Sequence, residues 1–226
     1  MLEKEQFRLG NPKSSLIIGL GHEAQQGKDT VAAHLIQTYG KREPGAWGKF
    51  FPLDIRRYAF ADTLKVEVFD YIQARTFLVK NVGFKVAQGF PQPEKLYSYQ
   101  EKIDYVNTHK EELRPELQKW GTEYRRQQAP DYWVSQTLHK IYQDKPDVAL
   151  IPDMRFKNEA AVCDYTLRVI REGFRIGESK HASEQELNAY PYHYVLSAPE
   201  GDVEGLKKNA ESIFEHILKL AGLLPH

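Results

Sequence analysis

The chain has 226 residues, 41% of them hydrophobic and 27% charged, enough apolar material for a folded core and too much for a disordered chain. Lys+Arg and Asp+Glu both number 31, which excludes the excess basic field of a protein whose main task is gripping a nucleic-acid backbone. Cys163 is the only cysteine, so no intrachain disulfide and no thiolate zinc site can form, and a cytoplasmic protein is expected.

Residues 1–13 are polar and mixed in charge, a leader without the apolar core of a signal peptide. No run approaches the roughly 20 apolar residues of a membrane span. The first informative stretch is Leu16-Ile17-Ile18-Gly19-Leu20-Gly21, a buried strand, followed by a polar loop that enters Gly27-Lys28-Asp29-Thr30. Val31, Leu35 and Ile36 then recur at helical spacing, and Gly40 is placed to stop that helix as a C′ residue. A helix N-terminus facing a glycine-containing loop favours an anion, because its N–H groups and the helix dipole both present positive charge. Lys28 is then in reach of the β and γ phosphates of a nucleotide. The loop departs from Gly-x4-Gly-Lys-[Ser/Thr] twice: five residues separate Gly21 from Gly27, and Asp29 holds the usual hydroxyl position with Thr30 just after it.

Residues 41–54, with two prolines and two glycines, predict a loop, and Arg57-Tyr58-Ala59-Phe60-Ala61 a second strand ended by Asp62. Leu64, Val68, Phe69 and Ile72 give the next helix. The stretch 76–112 has no sustained period and is taken as an insertion, part helical, that covers the substrate. Leu113, Leu117, Trp120 and Tyr124 predict a helix beginning at Pro115, and Pro130 suits N1 of another that carries Trp133, Val134, Thr137, Leu138 and Ile141. The apolar run 147–151 predicts a buried strand with Pro152-Asp153-Met154-Arg155-Phe156 at its C-terminal end. A short helix at 159–162, a strand at 166–170, a polar lid at about 172–191 with a Ser183/Glu186 capping box, and a strand at 192–196 follow. Asp202 is placed to cap a final helix whose Leu206, Ile213, Phe214, Ile217 and Leu220 dock it on the sheet.

Strands alternating with helices predict a three-layer α/β/α fold, a single domain built on a mainly five-stranded parallel sheet with a helical insertion and a lid. Ligands of such sheets sit at the C-terminal strand edges, where Gly27 to Thr30, Asp62, Asp153 to Arg155 and Arg171 all fall.

Several segments together resemble the bacteriophage-type deoxynucleoside monophosphate kinases of the P-loop NMP kinase superfamily. Gly27-Lys28-Asp29-Thr30 matches that group's Gly-Lys-Asp-Thr, and Phe60-Ala61-Asp62-Thr63-Leu64-Lys65 is similar to its Phe-Ala-Asp-Pro-Leu-Lys. Leu117-Gln118-Lys119-Trp120-Gly121-Thr122-Glu123-Tyr124-Arg125-Arg126 resembles its Leu-Gln-x-x-Gly-Thr-Glu-x-x-Arg. Asp153-Met154-Arg155-Phe156-Lys157-Asn158-Glu159 resembles Asp-x-Arg-Phe-x-Asn-Glu, and His181-Ala182-Ser183-Glu184 resembles His-x-Ser-Glu. The resemblance implies ATP-dependent phosphorylation of a (deoxy)nucleoside monophosphate with Mg²⁺, by a chain whose partners are small nucleotides rather than nucleic acid or membrane. It leaves the oligomeric state open between monomer and homodimer.

On that reading Lys28, Arg126, Arg155 and Arg171 act on the transferring or acceptor phosphate, and Gly21, Gln26, Gly27, Lys28, Asp29, Thr30 and Arg175 bind ATP. Phe60, Asp62, Lys65, Arg126, Trp133, Asp153 and Arg155 receive the acceptor, while Thr30 and Asp153 are the Mg²⁺ partners. Arginine suits an acceptor clamp because its guanidinium meets phosphate bidentately; Arg126 is preferred to Arg125 by motif spacing. Each assignment has a plainer counterpart. Asp153 could pair with Arg155, the arginines could form surface ion pairs, Arg171 and Arg175 could be a solvated face, and Trp133 and Phe60 could be core aromatics. His181 lacks the partners of a metal site or triad. Two other functions stay open: a phosphomevalonate-kinase-like enzyme for another phosphorylated metabolite, and a P-loop module that binds nucleotide without phosphorylating anything.

Overall fold

The computed structural model describes residues 15–21, 25–40, 53–81, 95–174 and 186–225, with the backbone alone at 77–81 and 122–123. In chain order the elements are β1 (Leu16–Gly21), α1 (Lys28–Tyr39), β2 (Ile55–Arg57), α2 (Phe60–Asn81), α3 (Tyr99–Thr108), α4 (Arg114–Gln118), α5 (Arg126–Gln128), α6 (Tyr132–Asp144), β3 (Val148–Met154), α7 (Lys157–Ala161), β4 (Tyr165–Glu172), β5 (Tyr194–Pro199) and α8 (Val203–Leu220), with π-helical Lys119–Arg125 joining α4 to α5. They form two compact units, Met1–Phe60 with Thr137–His226, and Ala61–Gln136.

The first unit is built on one five-stranded sheet of order β2-β3-β1-β4-β5, parallel at every pair. Helices flank it, as a three-layer α/β/α fold requires. The route from β1 to β2 passes β3, and the route from β3 to β4 passes β1. Right-handed crossovers therefore send the two connections to opposite faces and open a crevice at the C-terminal ends of β1 and β3. On one face Val31, Ala32 and Leu35 of α1, with Leu206, Ala210, Phe214, Ile217 and Leu218 of α8, cover Ile18, Leu20, Val148, Leu150, Leu167, Val169 and Leu196. Each fully buried Leu, Ile, Val or Phe there contributes roughly 1.5–3 kcal/mol. Tyr39 Oη donates to Glu215 Oε1 at 2.8 Å and His34 pairs with Glu211, tying α1 to α8. Asp202 caps α8 as expected, its Oδ1 accepting from Gly205 N at 2.8 Å.

The second unit packs α2 on α3. Phe69 meets the rings of Tyr97 and Tyr105 edge-on at 4.8 and 5.2 Å, and Val68, Ile72, Ile103 and Val106 are buried. A capping box between Ser98 and Glu101 starts α3, and the Ser98 backbone N–H donated to it is the first cause that holds the Glu101 carboxyl below its usual range. The part-helical insertion thus consists, among the described residues, of the end of α2 and all of α3; residues 82–94 lie outside them. No helix among the described residues is long and apolar enough to cross a membrane.

Several expected boundaries are corrected. The second strand is Ile55–Arg57, not 57–61, because Phe60 already begins α2. Gly40 does end α1, but in extended conformation (φ −69°) rather than left-handed; glycine is needed because a Cβ would lie 2.4 Å from Ile36 O. Pro130 sits in the turn before α6, which starts at Tyr132. The last strand begins at Tyr194 rather than 192, and Leu220 is 55% exposed, with Ala210 and Leu218 completing the stripe of α8 instead. The expected helix from Pro115 is α-helical only to Gln118 and then widens. The leader, the front of the phosphate loop at 22–24 and the lid residues 175–185 lie outside the described residues.

Candidate functional site

At the C-terminal end of central strand β1 the sequence demands close approach. A Cβ at Gly21 would lie 2.6 Å from Met154 Cε and 2.7 Å from Tyr192 Oη. The described part of the loop resumes at Gln25, with φ 58°, and Gly27 has φ 96°. Gly27 is the N-cap of α1, and no side chain caps that end. A left-handed residue feeding directly into a right-handed helix is the geometry of an anion-binding nest, with first-turn N–H groups converging outward. Lys28 is only 8% exposed. Lys28 thus adds a cationic side chain to the positive end of the helix dipole. Thr30 is exposed on the first turn, and Asp29 places Oδ1 3.7 Å from Arg57 Nη2, with its own side chain 81% exposed.

Two neighbours fix the loop. Gln26 is 3% exposed, and its Oε1 accepts the backbone N–H of Arg171 at 2.6 Å. Arg171 returns the contact: Nη1 donates to Gln25 O at 2.9 Å and Nη2 to Glu200 Oε1 at 3.2 Å, with the guanidinium 4.2 Å from the Phe174 ring centroid. Gln26, expected at the nucleotide, therefore has its side chain turned inward, and Arg171 lies on β4 with its guanidinium against the loop. Arg175 and His181 lie outside the described residues.

On the adjacent strand, Ile151 pairs with Gly19 and Met154 with Gly21, so three steps on β3 oppose two on β1. The extra residue falls at Pro152-Asp153. Proline cannot donate to the ladder, and a bulge there re-aims the next side chain. Asp153 Oδ1 accepts the backbone N–H of Phe60 at 3.0 Å. Arg155 follows, its N–H donating to Glu159 Oε2 at 2.7 Å, and the same oxygen accepts from Phe156 N at 3.1 Å. Glu159, 1% exposed, is thus the keystone of the Arg155 turn; the sequence contained it in a motif without showing that role. Arg57 was also missed as a neighbour of the loop, because strand residues with charged side chains carry no motif.

In the second unit Asp62 Oδ1 and Lys65 Nζ pair at 3.2 Å. Arg125 donates to Glu67 Oε2 at 3.0 Å, and Arg126, half-buried, is the first residue of α5. Trp133 is 2% exposed and its indole N–H donates to Gly121 O at 3.1 Å. Phe60 is equally buried, so neither ring presents a face to solvent. Among the described residues no group of three or more His, Cys, Asp or Glu is placed to hold a metal. Compared with protein-family models and with curated proteins, the chain matches none.

Proposed function

We propose that the chain is a P-loop kinase that transfers a phosphoryl group from ATP to a deoxynucleoside monophosphate. The observation that carries this reading is the junction at the centre of the parallel sheet. Left-handed Gly27, buried Lys28 and the uncapped first turn of α1 follow β1, alongside the bulged end of β3 with Asp153. A polyphosphate is the ligand that such an N–H-rich, cationic start of a helix recognises best. The likeness of the segments around Asp62, Arg126 and Arg155 to the phage-type kinases supplies the acceptor.

The acceptor's phosphate oxygen is already an anionic nucleophile, so no strong general base is needed, and catalysis rests on positioning and charge. Lys28 neutralises charge on the transferring group. The resemblance to the phage-type kinases assigns Arg155, Arg126, Asp62 and Lys65 to the acceptor, and Arg171 keeps the donor loop in shape through Gln25 and Gln26. Mg²⁺ keeps several waters and needs only one or two protein groups besides phosphate oxygens. Exposed Thr30 and half-buried Asp153 are the residues that would hold the ion, which would supply charge neutralisation on the phosphates.

The test is ATP consumption by the purified protein with Mg²⁺ against ribo- and deoxynucleoside monophosphates and phosphomevalonate. Turnover on at least one deoxynucleoside monophosphate is expected. No turnover on any nucleotide overturns the proposal, and turnover confined to phosphomevalonate moves the chain to the metabolite kinases.

A further inference from the structure

In the unit Ala61–Gln136 three donors converge on one carboxylate. Glu67 of α2, 18% exposed at its side chain, accepts on Oε2 from Trp120 Nε1 at 2.7 Å and from Arg125 Nε at 3.0 Å, and on Oε1 from Tyr132 Oη at 2.5 Å. The guanidinium of Arg125 also lies 4.8 Å from the Tyr132 ring centroid. Trp120 and Arg125 both belong to π-helical Lys119–Arg125, and they stand five residues apart.

That spacing matters. On an α-helix of 3.6 residues per turn, residues i and i+5 diverge by roughly 140° about the axis. Bonding from i to i+5 instead stacks them on one side, which is why a single oxygen can take both donors. The wide turn and the shared acceptor therefore require each other. Arg126 follows directly as the first residue of α5, so a return of the preceding turn to α-helical winding would rotate it by about 100°, one residue's worth of twist.

We infer that Glu67 is a positioning residue that holds Lys119–Arg125 in π-helical form and so fixes the direction in which Arg126 is presented. It also engages Arg125, which separates the roles of two adjacent arginines. The inference rests on the kinase reading, in which Arg126 clamps the acceptor phosphate.

Glu67→Ala and Glu67→Gln test it by two readouts. In a crystal structure, Glu67→Ala winds the segment with i→i+4 bonds, whereas Glu67→Gln, which keeps an oxygen for Trp120 and Arg125, retains the π-helix. In kinetics, Glu67→Ala raises KM for the monophosphate by about tenfold and leaves KM for ATP within about twofold, and Glu67→Gln recovers most of the loss. A retained π-helix in Glu67→Ala, or an equal rise in both KM values, overturns the inference. Should Glu67→Ala fail to fold, Trp120→Phe removes one of the two donors and carries the same readouts. A wild-type chain that phosphorylates no monophosphate removes the kinase reading, and the helical geometry of the variants then decides the role of Glu67 separately.

Discussion

Two described residues of the loop hold positive φ, Gln25 at 58° and Gly27 at 96°, and only one of them is glycine. The strain at Gln25, about 1–2 kcal/mol for a residue with a Cβ, is offset by the Arg171 guanidinium on its carbonyl. Gly27→Ala places the same strain at a second position and a methyl 3.0 Å from Leu206 Cδ2. It is expected to lower stability by about 1–2 kcal/mol in urea denaturation; an unchanged midpoint would show that the loop relaxes freely. Lys28→Ala should leave the fold intact and reduce kcat at least about 100-fold, the usual scale for losing one transition-state donor. Near-normal turnover in that variant would remove the loop from the mechanism. Lys28 was legible from the sequence because glycine, lysine and helix start coincide within three residues. The strand edge at Arg171 was legible too, but not the length of β4: the apolar run stops at Ile170, whereas pairing with β5 extends the strand to Glu172.

At the level of elements, hydrophobic pattern read well where an element buries one continuous face. β1, α1 and α8 fall where the apolar residues put them. It read poorly where main-chain geometry decides. β2 is a three-residue strand with two exposed arginines, so nothing in its composition announces it. The spacing of Leu117, Trp120 and Tyr124 reads as α-helical, but the carboxylate that widens the turn comes from residue 67, far away in sequence. The β3 bulge gives an element-scale prediction that separates two roles of Asp153. Asp153→Asn keeps an acceptor for Phe60 N and should retain stability while raising the Mg²⁺ concentration for half-maximal activity. Asp153→Ala should in addition lose about 1 kcal/mol of stability, as a helix-start acceptor does. If both variants respond to Mg²⁺ like wild type, Asp153 holds the backbone alone.

For the molecule as a whole, the layered α/β class was legible because strands and helices alternate along the chain. The strand order was not: no local pattern encodes which strand lies beside which. Interior tyrosines add a property of the whole fold. Burial first, then the hydrogen bonds to Glu215 and Asp144, push the phenols of Tyr39 and Tyr58 well above their ordinary range. Their contribution is complete below about pH 10, the ordinary tyrosine value. Above it the unfolded chain releases protons that the folded chain retains, so stability falls as pH rises. Urea midpoints should therefore hold up to about pH 10 and drop above it, and less steeply in a Tyr39→Phe, Tyr58→Phe double variant; identical slopes would assign the decline elsewhere.

The order β2-β3-β1-β4-β5 also governs the order in which this protein can be made. Leu16 pairs with Val148 and Ile18 with Tyr165, so β1 emerges from the ribosome long before either of its neighbours. A nascent chain shorter than Val148 has the glycine loop and Lys28 already in its sequence but no sheet to mount them on. Long-range parallel pairing of this kind is slow and leaves apolar strands exposed meanwhile. The segment that would hold the nucleotide is thus synthesised before both strands that give it its shape.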